Sequence, residues 1–406
     1  MVTINPFKAL RPEPQHARSV ASRPYDVLSR KEAKTEAEGN PNSFLHITRS
    51  EIDLPDETDV YAPTVYEKAK ENLDALSRNI LFRENKSCYY IYRLVMNEIS
   101  QTGLICCSSL DDYDNDLIKK HELTRPDKEN DRINHIKTTH AQTGNVFIAY
   151  KSVPEIDKLI EKRKERSPVY DFVADDGIQH TVWIVNDQEA ITRITSLFKK
   201  KVPATYIADG HHRAASAAKA RVFFENSTEA AMFLTTLFPS NEVRIMDYNR
   251  VVKDLNGNTM DEFFSKISAE FHIEASAVAV KPAEPYTYGM YVDKTWYKLS
   301  TKNPPQTNDP VERLDISVLQ EKILHPILGI ADQRTDKRID FIGGIRGMEA
   351  LVEKVDSGEM VVAFSIHPVH IQQLFDIADS GQLMPPKTTW FEPKLRDGLL
   401  THIISP

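Results

Sequence analysis

The sequence predicts a mixed α/β protein, and three observations carry that expectation. Short apolar runs of strand length alternate along the chain with segments of helical spacing. An apolar run at Thr205–Ala208 turns on Asp209-Gly210 into the Ala-rich stretch Ala214–Ala220, the order of strand, tight turn and helix. A second run, Ile339–Ile342, turns on Gly343-Gly344 into a helical stretch from Gly347 to Val355. There is no repeat of fixed period and no flexible Gly/Ser linker, so residues 1–406 are expected to form one unit of packed lobes, 1–200 and 201–406.

Taken in order, Ser43–Ile47 reads as a short strand. Val65, Ala69, Leu73 and Leu76 recur at helical spacing and predict a helix over 62–80. The aromatic strand Cys88–Met96 turns at Asn97-Glu98 into a strand over Gly103–Leu110, giving an antiparallel pair. Pro154–Arg166 predicts a charged helix, and Tyr170–Ala174 with His180–Val185 flank Asp175-Asp176-Gly177 as a hairpin. Beyond the Asp209 turn, Val243–Val252 has strand character, Asp261–Phe271 is helical, and Tyr286–Leu299 alternates like a hairpin. After the break at Pro304-Pro305 come a helix over Ile316–Leu324, the Ile339 strand and its helix, a strand at Val361–Ile366 and a helix at Ile371–Ala378.

Composition bounds the function. At 406 residues, 41% hydrophobic and 27% charged, the chain has the make-up of an ordinary soluble protein with a large core. Its 51 basic and 59 acidic residues leave a net charge of −8, which opposes adhesion to nucleic acid or to an anionic membrane. No apolar run reaches the length of a membrane span and the first residues lack a secretory pattern, so a cytoplasmic location is expected. Cys88, Cys106 and Cys107 form neither an even framework nor a metal pair and are expected as reduced, buried thiols.

The chemistry concentrates at Asp209-Gly210-His211-His212-Arg213. A helix start offers free amides and the positive end of its dipole to an anion, and His211, His212 and Arg213 add donors that a phosphate can use. Asp209 repels phosphate unless it holds a metal such as Mg²⁺ or takes a proton, so it reads as a reacting group. In the Gly343-Gly344-Ile345-Arg346-Gly347 turn, Arg346 is a second candidate phosphate ligand. Neither a P-loop nor a Gly-x-Gly-x-x-Gly string occurs, which leaves pyrophosphate as well as ADP or ATP as candidate donors. The prolines around Lys387-Thr388-Thr389-Trp390 stiffen a loop able to carry Lys387 to an active site. His180 is read as a hydrogen-bonded structural residue.

The Asp-Gly-His-His-Arg string resembles the phosphate-binding loop of the free-serine kinases of the ParB/sulfiredoxin superfamily. The whole chain is similar to a microbial family catalogued as a domain of unknown function and related to those kinases. Besides that loop, the resemblance is carried by Pro6-Phe7-Lys8-Ala9-Leu10-Arg11-Pro12 and Pro24-Tyr25-Asp26-Val27, and by His121-Glu122-Leu123-Thr124-Arg125-Pro126-Asp127-Lys128-Glu129. It continues through Arg334 to Gly347 and Met384 to Leu395. It implies a ParB/sulfiredoxin-like core with added lobes, and it places Glu122 as the general base that takes the proton of an acceptor hydroxyl. Arg125, Lys128 and Arg132 lie close in sequence to Glu122, and Arg132 is taken as a phosphate ligand. The implied activity is phosphorylation of free L-serine to O-phosphoserine. A phosphatase or nucleotide hydrolase on the same fold, and a ParB-like nucleotide- or nucleic-acid-binding module, are the alternatives; net acidity and the lack of a helix-turn-helix signal oppose the last.

Overall fold

In the computed structural model, which describes residues 1–225 and 227–404, the chain divides into two compact units. One is Met1–Val243 with the chain from Pro393 on, and the other is Arg244–Glu392. The division expected after residue 200 falls inside the first unit. The strand that follows it, Thr205–Asp209, pairs with strands formed by residues before 200 and so belongs to their sheet.

The first unit is built on a nine-stranded mixed sheet. Its strands in chain order are β1 (Ile4–Asn5), β2 (Tyr89–Met96), β3 (Ile99–Ser109), β4 (Ile118–Lys119), β5 (Val146–Tyr150), β6 (Tyr170–Val173), β7 (Gln179–Val185), β8 (Thr205–Asp209) and β9 (Met232–Pro239). They lie side by side as β4-β8-β5-β9-β3-β2-β7-β6, with β1 against β3. Interior strands β5 and β9 are buried on both faces or nearly so, which is why their sequences are apolar runs without alternation. The longer helices of the unit are α1 (Pro63–Asn79), α2 (Pro126–Thr139), α3 (Pro154–Lys164), α4 (Gln188–Lys201) and α5 (His211–Ala220). Ile156 and Ile160 of α3, Ile194 and Phe198 of α4, and Ala214 and Ala217 of α5 share one core with Ile148, Trp183 and Leu237 of the sheet.

Ser43–Ile47 is not a strand; Leu45–Thr48 forms a helical turn closed by the bond from the Thr48 N–H to the Phe44 carbonyl. Phe44 and Ile47, three apart, face the cluster of Leu73 and Leu76 on α1, while Leu45 joins Leu28, Ala33 and Ile52. Helical spacing puts Phe44 and Ile47 on one face, whereas strand alternation would have paired Ile47 with Leu45. The other expected strands and helices form at or near their expected places. The Asn97 turn joins β2 to β3 with a left-handed residue, and Gly177 does the same for the β6-β7 hairpin. Cys88, Cys106 and Cys107 are buried free thiols. His180 accepts or donates at 2.7 Å with the Tyr92 hydroxyl and accepts from Arg396 Nε at 3.3 Å, a structural role. No helix among the described residues is long and apolar enough to cross a membrane.

The second unit holds a six-stranded sheet of β10 (Tyr248–Val252), β11 (Phe271–Ser276), β12 (Thr287–Val292), β13 (Thr295–Thr301), β14 (Ile339–Gly343) and β15 (Val362–Ile366), ordered β11-β13-β12-β15-β10-β14. Around it are α6 (Met260–Glu270), α7 (Glu349–Asp356) and α8 (Ile371–Asp379). The Gly343–Gly347 turn departs from expectation: Gly344–Arg346 make one 3-10 turn and the α-helix begins only at Glu349. A Cβ at Gly343 would lie 2.9 Å from the Trp390 indole, and one at Gly344 would lie 2.3 Å from the Asp247 carboxylate. The two glycines therefore admit close neighbours here.

Candidate functional site

β8 and α5 place the Asp209 loop. The pairing register of β8 with β5 slips between Ile207 and Asp209, an irregularity that re-aims the last strand residue. Gly210 caps α5 with φ 98°, a left-handed conformation that a side chain would oppose, and no side chain caps the helix. The first amides of α5 therefore remain without a side-chain partner at its N-terminus.

Arg213 is 7% exposed and its guanidinium faces protein groups. It lies 3.0 Å from Asp26 and 3.6 Å from Asp209, and it donates to the Asn145 carbonyl. Gly144 and Gly210 flank it, with a Cβ on Gly144 falling 2.9 Å from Arg213 Cδ. Burial opposes its charge, yet Asp26, Asp209 and Asp397 raise its pKa further. Lys394 Nζ approaches the same Asp209 oxygen at 3.5 Å. Burial is the largest influence on Asp209 and disfavours its charge, but Lys394, Arg213 and His211 outweigh it and hold the carboxyl well below its usual range. Asp209 is thus an ionised carboxylate, its side chain 32% exposed, clamped by two cations.

Behind Arg213 lies Asp397, which is buried and whose oxygens close no hydrogen bond of good geometry, although the Asn145 amide favours its charge. Burial pushes this carboxyl up to about 7, with Arg213 pulling it down and Asp26 pushing it up. An unfolded aspartate titrates at about 3.9, so between about pH 4 and 7 the native state holds a proton that the unfolded chain has lost. The native-state advantage of the protonated acid is full below pH 4 and is lost as pH rises through 7. Asp397→Asn is therefore expected to gain on the wild type by on the order of a few kcal/mol between pH 4.5 and 8. Urea melts of both proteins across that range check it, and a difference independent of pH would remove Asp397 as the titrating group.

On the other side of the loop, the 120–125 segment between β4 and α2 carries Glu122. Its side chain, 43% exposed, sets Oε2 at 3.6 Å from His211 Nδ1 and Oε1 at 4.0 Å from His121 Nε2. The two imidazoles meet edge to face with centroids 4.6 Å apart. Burial, followed by His211, lowers His121 to about 3, and burial lowers His211 to about 4 against the opposing effect of Asp209. Both rings are neutral at pH 7. The segment is tied down by the Arg125 N–H, which donates to His212 Nε2 at 3.0 Å, and by Thr124, whose hydroxyl donates to Glu129 on α2. Lys219 of α5 pairs with the same Glu129, joining the segment to the helix whose start forms the site.

The structure thus brings Asp209, Gly210, His211, His212, Arg213 and Glu122 together in the first unit. Arg132 is committed elsewhere: it pairs with Asp131 at 2.8 Å and stacks over the Tyr25 ring at 4.1 Å. Together with Arg213 it lines a small cavity of about 30 Å³. Arg346 and Lys387 belong to the second unit, both exposed, Lys387 with φ 55° and its Nζ 5.8 Å from the Tyr248 ring. Site residues that sequence reasoning did not single out are Asp26, His121, Lys394 and Asp397. Asp26, His121 and Lys394 lay within strings that carried the family resemblance, but nothing local marked Lys394 over Lys387. Among the described residues, no group of three or more His, Cys, Asp or Glu could hold a metal ion. A Mg²⁺ bound chiefly through phosphates and water needs only one or two carboxylates, and Asp209 fits that lesser demand.

Residues 4–317 match the family described as "Protein of unknown function (DUF1015)", and the chain belongs to it. The search of curated proteins found no match. Similar solved structures include a free serine kinase in complex with AMP, at 14% identity over 73% of this chain and 91% of that chain, TM-score 0.35. SbnI with a C-terminal truncation from Staphylococcus aureus matches at 10% identity over 72% and 85%, TM-score 0.38. A conserved hypothetical protein from Pyrococcus furiosus matches at 13% identity over 73% and 94%, TM-score 0.34.

Proposed function

We propose that this DUF1015 protein is a small-molecule phosphotransferase that phosphorylates the hydroxyl of free L-serine, giving O-phosphoserine, with pyrophosphate, ADP or ATP as donor. The observation that carries the reading is the pair of unlike carboxylates at one helix start: Asp209 clamped by Lys394 and Arg213, and Glu122 held apart from it at His211. Such a pair divides the labour of phosphoryl transfer, one carboxylate working with the donor side and the other on the acceptor proton. The choice of L-serine rests on the resemblance of the Asp-Gly-His-His-Arg loop to the free-serine kinases, and a cytoplasmic location follows from those substrates.

In this reading the α5 amides, the partly exposed His212 and Lys394 hold the transferring phosphate, and their fixed dipoles and charge meet the negative charge that spreads over its oxygens. Arg213 acts one step back, fixing Asp209 and Asp26. Where Mg²⁺ accompanies the donor, Asp209 would hold it and the ion would neutralise phosphate charge. Glu122 accepts the hydroxyl proton as the serine oxygen bonds to phosphorus and the bond to the leaving phosphate or nucleotide breaks. Arg346, Arg132 and Lys387 are not needed for this scheme.

Phosphorus NMR of the purified protein with serine, Mg²⁺ and each donor in turn tests it. A phosphoserine resonance is the expected result. Orthophosphate without phosphoserine would favour the hydrolase reading, and nucleotide binding with no turnover would favour a binding module.

A further inference from the structure

We propose that His121 and His211 are paired positioning residues for Glu122, His121 donating from Nε2 to one carboxylate oxygen and His211 from Nδ1 to the other. The inference deepens the reading above and rests on Glu122 as the base. The two rings address different oxygens, Oε1 and Oε2, so together they bracket the carboxylate and set its plane. His121 is 0% exposed, and neither of its nitrogens closes a hydrogen bond of good geometry, although the Ile207 backbone lies close enough to favour its protonation. His211 Nε2 also lacks a partner. A buried N–H left in this state carries a desolvation cost that a nearby acceptor removes, and in this pairing that N–H is His121 Nε2.

The distances of 3.6 and 4.0 Å exceed a hydrogen bond, and the mobile partner is Glu122. Its side chain is about half exposed, whereas both imidazoles are enclosed and stacked edge to face. Closing the gap therefore means moving the carboxylate toward the rings, the tightening that ligand-free catalytic sites undergo when substrate binds. A neutral imidazole donates from one nitrogen only, so the pairing specifies two tautomers: Nε2–H on His121 and Nδ1–H on His211. Held by both oxygens, Glu122 turns a fixed lone pair toward the acceptor hydroxyl instead of sampling orientations from a surface segment.

The test uses the shape of the amide side chains. Glutamine places its N–H₂ where histidine has Nε2, and asparagine places it where histidine has Nδ1. His121→Gln and His211→Asn are expected to retain most of the wild-type kcat. The crossed variants, His121→Asn and His211→Gln, are expected to lose about 10–10²-fold in kcat at unchanged donor KM, the size of effect that follows a misplacement near 1 Å. Matched and crossed amides behaving alike would overturn the pairing, because packing alone does not distinguish them. A second measurement needs no turnover: long-range ¹H–¹⁵N spectra of the imidazoles in the wild type and in Glu122→Ala, which leaves both rings in place. The two stated tautomers, with both rings' nitrogen shifts moving in the variant, support the pairing. Nδ1–H on His121, or rings indifferent to the loss of Glu122, would overturn it. Absence of phosphoserine with every donor would defeat the phosphotransferase reading and leave this spectroscopic result to judge the pairing by itself.

Discussion

Asp209→Asn is expected to lower phosphoserine formation by about 10²–10⁴-fold while leaving the fold in place. The substitution keeps size and shape but removes the charge that Lys394 and Arg213 clamp. Arg213 retains Asp26 and the Asn145 carbonyl, so its buried guanidinium is not left bare. Lys394 loses a carboxylate at a position where the reading needs its orientation, not merely its charge. The loss should therefore appear in kcat and in the dependence on Mg²⁺, and the melting temperature should shift by only a few degrees. Turnover by phosphorus NMR beside a thermal melt makes the comparison. Near-normal turnover with a normal melt would reduce Asp209 to a turn residue; a collapsed melt would instead assign its charge to holding Arg213.

How far the sequence revealed this arrangement depended on whether the signal was local. The Thr205–Asp209 strand, the glycine turn and the Ala-rich helix all declare themselves within a short stretch, because turn chemistry and helix propensity are near-neighbour effects. The β2-β3 and β6-β7 hairpins were legible for the same reason. Interior strands β5 and β9 were not among the expected elements; unbroken apolar runs carry no period that separates strand from helix. Helix α2 escaped because its buried face is largely polar: Glu129, Asp131 and His135 are enclosed and each is answered by a tertiary partner that spacing does not show, while the buried Thr139 hydroxyl donates back to the His135 carbonyl. Helix α4 was also missed, although its Asp187 cap and the spacing of Ile191, Ile194 and Phe198 are ordinary helix signals.

The candidate site divides along the same line. Asp209 and its neighbours were legible, and Glu122 came from the family resemblance. Lys394 and Asp397 reach the site because the chain from Pro393 on returns to the first unit, where Ser22 bridges Asp397 and Leu10 bridges Thr401, and Asp26 reaches it from the N-terminal segment through its ion pair with Arg213. The stiff loop points to Lys387, and only that return shows that it is Lys394 that meets Asp209. Arginine carried the opposite error. Sequence alone offers Arg132 and Arg213 as phosphate ligands, yet burial requires a partner for a guanidinium, and Asp131, Asp26 and Asp209 supply it.

Glu122→Gln is expected to lower kcat by about 10²–10⁴-fold with little change in donor affinity, the usual range for loss of general-base help. A base acts on the acceptor hydroxyl in the transition state and has little contact with donor phosphates in the ground state, so kcat and kcat/KM should fall together. Stability should hardly move, because the side chain is 43% exposed and makes no contact shorter than 3.6 Å with the histidines. The amide can still accept from one imidazole through its oxygen, but its N–H₂ faces a donor on the other, which leaves the bracket half closed and the proton without an acceptor. Initial rates with serine varied at saturating donor, and with donor varied at saturating serine, separate the two constants. A collapse of donor affinity at normal kcat would make Glu122 a donor-side residue, and the acceptor proton would then have to pass to Asp209, the other carboxylate at this helix start.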